Sequence, residues 1–208
     1  MAVGTSGWSY PSWKPEFYPA GIDSRDFLRF YAERLSTVEL NTTGYRLPAE
    51  EQFRRWAEQT PPGFTFAPKL PGNRPRMVAE FSSRVRVLGE RLGPVRVQLI
   101  NARDDGMLEL LLGSLDPGLQ LAFDLAHPSW DGIEPRLAEA GAVRVDDVQH
   151  DAPFRYVRFR DPPYSDEDLK TWAERLRGET VPVYAYFRHE DKPTAPRYAE
   201  QFLELLAL

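Results

Sequence analysis

Apolar and polar residues alternate strictly in two stretches near the end of the chain. Residues 154–160 read Phe-Arg-Tyr-Val-Arg-Phe-Arg, and residues 181–189 read Val-Pro-Val-Tyr-Ala-Tyr-Phe-Arg-His. Both are rich in β-branched and aromatic residues and are bounded by Pro, Gly and Asp, which predicts strands. Successive side chains of a strand point to opposite faces. Val157 and Phe159 therefore oppose Tyr156, Arg158 and Arg160. In the second stretch Val183, Ala185 and Phe187 oppose Tyr184, Tyr186 and Arg188. The apolar face suits a cover of helices, and the face of tyrosines and arginines must line something polar.

The rest of the chain repeats this theme. Strands are predicted over residues 2–6, 37–41, 64–70, 95–100, 119–125 and 142–146. Helical spacing separates most of them. Ser24 caps a helix with Phe27, Leu28, Tyr31 and Leu35 on one face, and further helices are predicted near 49–59, 76–92, 105–113, up to about 140, 165–177 and 195–207. The link 147–153 is too short for a helix. Eight strands, nearly all followed by helices, predict parallel pairing through right-handed crossovers. The expected fold is α/β, a compact (β/α)8 TIM barrel with a minimal sixth β/α unit, as one domain over 1–208. An open doubly wound sheet is the alternative, weakened by the lack of a Gly-rich turn after the first strand.

If the apolar sets face the helices, the polar sets point inward. They comprise Lys69, Arg96, Arg144, Arg158, Arg160 and Arg188 against Glu39, Asp124 and Asp146, with Asn41 and Tyr186 among the uncharged members. That interior carries an expected excess of +3 in a chain whose net charge is −5. Barrel interiors are usually filled by Val, Ile and Leu, and barrels hold phosphate at the strand C-terminal ends. Two readings follow. In one the charges pair with one another as internal filling. In the other Arg158, Arg160 and Arg188, with Lys69 opposite, form an anion site, because guanidinium forks fit phosphate and carboxylate oxygens.

Several blocks resemble one family. They are Gly4-Thr-Ser-Gly-Trp-Ser-Tyr10, Val38-Glu-Leu-Asn-Thr-Thr43 with Tyr45-Arg46-Leu47-Pro48, Phe66-Ala-Pro-Lys69, Ala122-Phe-Asp-Leu-Ala-His-Pro-Ser-Trp130, Tyr156-Val-Arg158 and Tyr184-Ala-Tyr-Phe187. Over essentially its whole length the chain resembles the YecE-like family, a domain of unknown function. The resemblance implies a TIM barrel and no settled activity. It is also similar in fold to endonuclease-IV-like and xylose-isomerase-like proteins, an analogy that suggests DNA or sugar substrates without arguing for them. Arg158-Phe159-Arg160-Asp161 and Tyr186-Phe187-Arg188-His189 depart from the family pattern and make the strand ends more basic.

Candidate chemistry is then limited. There is no cysteine and there are three histidines, so a His-rich trinuclear zinc site cannot be built; neither metal nor cofactor is expected, with a single-metal site from Glu39, Asp124, Asp146 and His127 as the alternative. Glu39, Asp124 and Asp146 are candidate acid and base groups, with His127 as a further general base or a structural histidine. Trp8, Tyr45 and Trp130 follow strands and can stack on bases or sugars, or pack the loops. No apolar run reaches membrane-spanning length, and the first residues lack a signal-peptide pattern, so a cytoplasmic location without a membrane partner is expected. The acidic charge counts against a generic nucleic-acid binder. Two functions remain: an enzyme acting on a phosphorylated substrate (a phosphoester hydrolase or sugar-phosphate enzyme, nucleic-acid phosphodiesters included), or a non-catalytic binder of nucleic acid or a small anion.

Overall fold

The computed structural model describes residues 1–72 and 74–207. Its strands are β1 (Ala2–Thr5), β2 (Thr37–Leu40), β3 (Thr65–Pro68), β4 (Val95–Leu99), β5 (Leu121–Leu125), β6 (Val143–Arg144), β7 (Arg155–Phe159) and β8 (Val183–Phe187). Its α-helices are α1 (Phe27–Ala32), α2 (Glu50–Glu58), α3 (Pro75–Val85), α4 (Asp105–Ser114), α5 (Glu134–Glu139), α6 (Asp166–Arg177) and α7 (Thr194–Ala207). Every strand pair is parallel.

The closed eight-stranded barrel expected from the sequence is not what forms. The strands divide into a five-stranded half-barrel sheet, ordered β3-β2-β1-β8-β7, and a separate three-stranded sheet, ordered β4-β5-β6. Two seams replace continuous ladders. Between β3 and β4 there are only isolated bridges, Phe66 to Leu92 and Lys69 to Arg96. Pro68 has no N–H to donate there, and Pro94 removes a second donor just before β4. Between β6 and β7 the Asp146 N–H donates to the Tyr156 carbonyl at 2.9 Å. β6 spans only two residues, and Asp146 soon follows with φ of 68°, a left-handed conformation that ends an extended run.

Side-chain caps start two of the helices. Asp104 accepts from the Met107 N–H to cap α4, and Ser165 with Asp168 forms a capping box at α6. α1 begins at Phe27 after a single 3-10 turn capped by Asp23, two residues later than a cap at Ser24 predicts. The helical region predicted over 76–92 divides where Gly89, at φ 59°, interrupts a 3-10 segment that follows α3.

The main core lies between the strands and the helices. Val38, Leu40, Phe66, Val97, Phe123, Val157 and Ala185 all pack into it, as the alternation predicts. β6 is the exception. Val143 and Val145 join a second, smaller cluster on the opposite strand face with Ala67, Ala122, Phe154, Tyr156 and Tyr186. Val143 pairs with Ala122 and Arg144 with Phe123, so Arg144 points to the helix side. It bonds Glu134 at 2.6 Å and Asp131 at 3.0 Å there. The inward placement predicted for Arg144 is thus reversed. A strand of two residues contributes too little pattern to fix its phase.

Candidate functional site

The polar faces of both sheets meet in one cluster near the strand C-terminal ends. At its centre is Glu39 of β2, with no exposed surface. It accepts from the Tyr156 hydroxyl at 2.8 Å and from Arg158 Nη2 at 2.9 Å. Arg158 Nε also lies 2.9 Å away, though its N–H is not aligned for a hydrogen bond, and Arg96 Nη1 is 3.6 Å distant. Asp124 of β5 is the second anion. Arg96 Nε and Nη2 both donate to its Oδ2, at 2.9 and 2.5 Å, and Arg160 reaches Oδ1 at 3.0 Å. Burial pushes both carboxyls up, but the guanidiniums outweigh it. Arg158 and Arg96 hold Glu39, and Arg96 and Arg160 hold Asp124, below the usual carboxylate range.

Asp146 closes the cluster by an unusual route. β6 has the opposite phase, so a straight continuation would aim this carboxylate differently. The left-handed backbone at Asp146 brings it back: Oδ1 accepts the Arg158 N–H at 2.6 Å and Oδ2 accepts from Arg160 Nε at 3.1 Å. Asp tolerates this conformation better than most residues. Desolvation by the surrounding protein raises its pKa in spite of Arg160. Since 38% of its side chain is exposed, water keeps that effect modest.

Lys69, at the end of β3, differs from the arginines. Its Nζ donates to Gln98 Oε1 at 2.8 Å, and Gln98 in turn donates to Asp124 at 3.3 Å. Among the described residues no carboxylate lies within ion-pair distance of it. Burial, with the Arg96 charge, pulls the Lys69 ammonium below its ordinary pKa. The Tyr45 ring, 89% exposed, lies over it with its centre 5.9 Å from Nζ. Asn41 accepts from Arg96 Nη1 at 3.0 Å. With Arg144 turned away, four cations (Lys69, Arg96, Arg158, Arg160) face three carboxylates.

The other candidates lie apart. Arg188 follows the end of β8, is exposed, and makes no ion pair among the described residues. Tyr186 is buried, its hydroxyl 3.0 Å from that of Thr37, and belongs to the packing beneath the cluster. His127 accepts the Ser129 N–H through Nδ1 at 3.1 Å and caps the Pro128–Trp130 turn, touching none of the three carboxylates. Trp130 is buried and donates to the Asn101 carbonyl at 3.0 Å. It walls a cavity of about 340 Å³ that Gln98 also lines. Among the described residues no group of three or more His, Asp or Glu side chains is placed to hold a metal ion. No helix among them is long and apolar enough to cross a membrane.

Two features escaped the sequence reading. Arg96, Gln98 and Tyr156 were legible as inward residues, but nothing in the pattern ranked them above their neighbours. A cleft of about 730 Å³ between α2 and the segments after β1 and β2 is lined by Trp8, Trp56, Arg46 and Arg55, with Glu39 and Asn41 at its inner end. Trp8 stands edge-on to Trp56, with ring centres 5.2 Å apart. Trp56 occupies an apolar position of an amphipathic helix, where its second role leaves no separate signal.

The model of the family described as "Protein of unknown function DUF72" matches residues 2–208. "UPF0759 protein YecE" of Escherichia coli (strain K12) is 32% identical over 140 residues, which is 62% of this chain and 49% of that protein. The matched region thus spans about half the length of this curated relative. A DUF72 family crystal structure from Thermotoga maritima superposes with a TM-score of 0.83 at 25% identity, covering 100% of this chain and 99% of that one. One from Enterococcus faecalis gives 0.79 at 18% identity, covering 100% and 97%, a likeness of fold alone.

Proposed function

The chain belongs to the DUF72 family, a family of unknown function, and from the geometry of its strand ends we propose that it binds a small anionic molecule, phosphorylated or carboxylated, with Lys69 as the contacting cation. One observation carries the reading. Arg96, Arg158 and Arg160 already face carboxylates, whereas the Lys69 ammonium has a single neutral partner, the Gln98 amide. The guanidinium–carboxylate lattice is then a rigid floor, and its unmatched positive charge is the recognition element. Titratable groups with perturbed pKa values cluster at functional sites. Asn41, whose oxygen is occupied by Arg96, has its amide nitrogen left to donate.

A catalytic reading is favoured by one further feature. Burial shifts the Lys69 ammonium down, and desolvation shifts the partly exposed Asp146 carboxyl modestly up, the directions that suit acid–base groups acting on a phosphorylated substrate. A polymer such as nucleic acid is disfavoured, because one unmatched cation predicts a salt slope near one rather than the steep slope of many phosphate contacts.

Thermal unfolding tests the binding. A ligand at 100 times its dissociation constant stabilises the native state by about 2.7 kcal/mol. At roughly 2–4 °C per kcal/mol for a domain of this size, phosphate or a sugar phosphate should raise Tm by about 5–11 °C over chloride of equal ionic strength. Lys69→Met should remove that shift and change the ligand-free Tm little, since Lys69 has no ion pair to lose. A shift that survives Lys69→Met, or none with any small anion, overturns the proposal.

A further inference from the structure

The cleft beside α2 has its own chemistry, which does not involve Lys69. Its walls combine uncovered aromatic surface with unmatched positive charge. Trp8 and Trp56 are each only half-buried, and Tyr10 lines the same space, its ring stacked on His189 at 4.7 Å. Exposed Arg46 has no ion pair or side-chain hydrogen bond among the described residues. Exposed Arg55 bonds only the neutral Gln52, at 3.0 Å. The acids of the cleft are already engaged, Glu39 by Arg158 and Glu51 by Arg54 at 3.7 Å. Arg84, the third arginine, is held by the Pro48 carbonyl at 3.0 Å and by Glu80. Two guanidiniums without an ion pair among the described residues therefore line the space, against one loosely held carboxylate, Glu51, which shares Arg54 with Glu50. At about 730 Å³ the cleft falls within the size range of small-molecule sites.

We propose that this cleft is a second ligand site, which takes a planar ring carrying an anionic group. The ring lies against the indoles of Trp8 and Trp56, and the anion meets Arg46 and Arg55. Flat π surfaces bind rings by stacking regardless of the ring's hydrogen-bonding pattern, and guanidinium forks match phosphate or carboxylate oxygens. Neither half suffices alone. The indole surface is narrow, and both arginines are exposed to water, where a lone ion pair is weak.

Tryptophan fluorescence tests this, because Trp8 and Trp56 line the cleft while Trp13 and Trp130 are fully buried; the fifth, Trp172, is partly buried on α6 away from the cleft, and a Trp172→Phe background removes its signal. AMP and 2-naphthoate, at constant ionic strength, serve as phosphate- and carboxylate-bearing ring probes. Adenosine lacks the anion and ribose 5-phosphate lacks the aromatic ring. Saturable quenching is expected from at least one ring-bearing anion, binding at least tenfold tighter than adenosine, and ribose 5-phosphate should cause none. Arg46→Met, a surface change with no contact to lose, should weaken binding by about tenfold, as expected when a charge-assisted hydrogen bond of roughly 1.4 kcal/mol or more is removed. Trp8→Phe should reduce the quenching amplitude, which localises the ring. Lys69→Met should leave these titrations unchanged while abolishing stabilisation by phosphate, so failure of either site is read separately. The proposal is overturned if neither ring-bearing anion quenches, if adenosine matches AMP, or if Arg46→Met binds as the parent does.

Discussion

Replacing Arg158 by Met exposes how much the buried lattice depends on pairing. Met keeps much of the bulk and removes the charge. Glu39 loses a contact at 2.9 Å from each of two guanidinium nitrogens and keeps only the Tyr156 hydroxyl and Arg96 at 3.6 Å. Breaking a buried ion pair from one side costs about 3–5 kcal/mol, because the other charge stays buried. The two remaining partners place Arg158→Met at the lower end, about 3 kcal/mol. That corresponds to a Tm lower by roughly 6–12 °C, or, for an m value of about 2 kcal/mol/M, a urea midpoint lower by about 1.5 M. The pH dependence carries the sign. In the parent, Glu39 lies below its ordinary pKa, so it stabilises the fold above the unfolded value. Without Arg158 the burial effect dominates and the folded pKa rises above the unfolded one. Ionised Glu39 then destabilises at neutral pH, and protonation relieves it. The gap between parent and variant should therefore narrow from pH 7 to pH 4. Adding Glu39→Gln to Arg158→Met should recover more than half of the loss in a double-mutant cycle. A loss below about 1 kcal/mol, a gap that does not change with pH, or a double variant no better than the single would refute the reasoning.

Two further predictions concern the same lattice. Glu39 and Asp124 both have folded pKa values below their ordinary ones, so their contribution is present above the unfolded values near about 4 and is lost as pH falls through the lower, folded values. Urea midpoints should drop steeply below about pH 4, and Asp124→Asn should flatten that drop; a midpoint that stays level down to pH 2 contradicts it. At Asp146, Gly takes up φ of 68° freely whereas Ala does not, and both lose the bonds to Arg158 and Arg160. Asp146→Ala should therefore be less stable than Asp146→Gly by about 1 kcal/mol, measured by chemical denaturation, and equal or reversed stabilities would show that the left-handed backbone is not retained.

Much of the strand architecture was legible because alternation over four or five residues fixes which face is buried. β2, β4, β5, β7 and β8 carry that pattern, and their apolar sets pack into the core beneath the helices. Closure was not legible. Whether adjacent strands form a ladder depends on donors at each position, and Pro68, Pro94 and the two-residue β6 remove them at the two seams. These prolines were visible in the sequence, but their effect appears only once the strands are placed side by side. The candidate site shows the same division. Glu39, Asp124, Arg158 and Arg160 come together from β2, β5 and the end of β7, three strands of two sheets, as inward positions at similar heights must. His127 and Trp130 were chosen for residue type, and local contacts occupy them instead; Tyr186 faces inward as its alternation predicts but packs beneath the cluster.

The phase of one short strand decides how much charge the interior holds. Counting every alternate position as inward gave six cations and moved the expected anion site to Arg158, Arg160 and Arg188. Two of the six do not belong to the interior. Arg144 pairs with Glu134 and Asp131 on the helix side, because β6 runs in the opposite phase. Arg188 lies beyond the last residue of β8, where alternation no longer constrains it. The backbone reversal at Asp146 then returns a carboxylate to the cluster that the phase of β6 would have carried away. What remains is three guanidiniums facing three carboxylates. The residual charge belongs to Lys69, whose ammonium meets the Gln98 amide and the Tyr45 ring but no carboxylate among the described residues. Arg96, Arg158 and Arg160 each face a carboxylate, so among the described residues the cation of the cluster without an ion pair is the lysine and none of its three arginines.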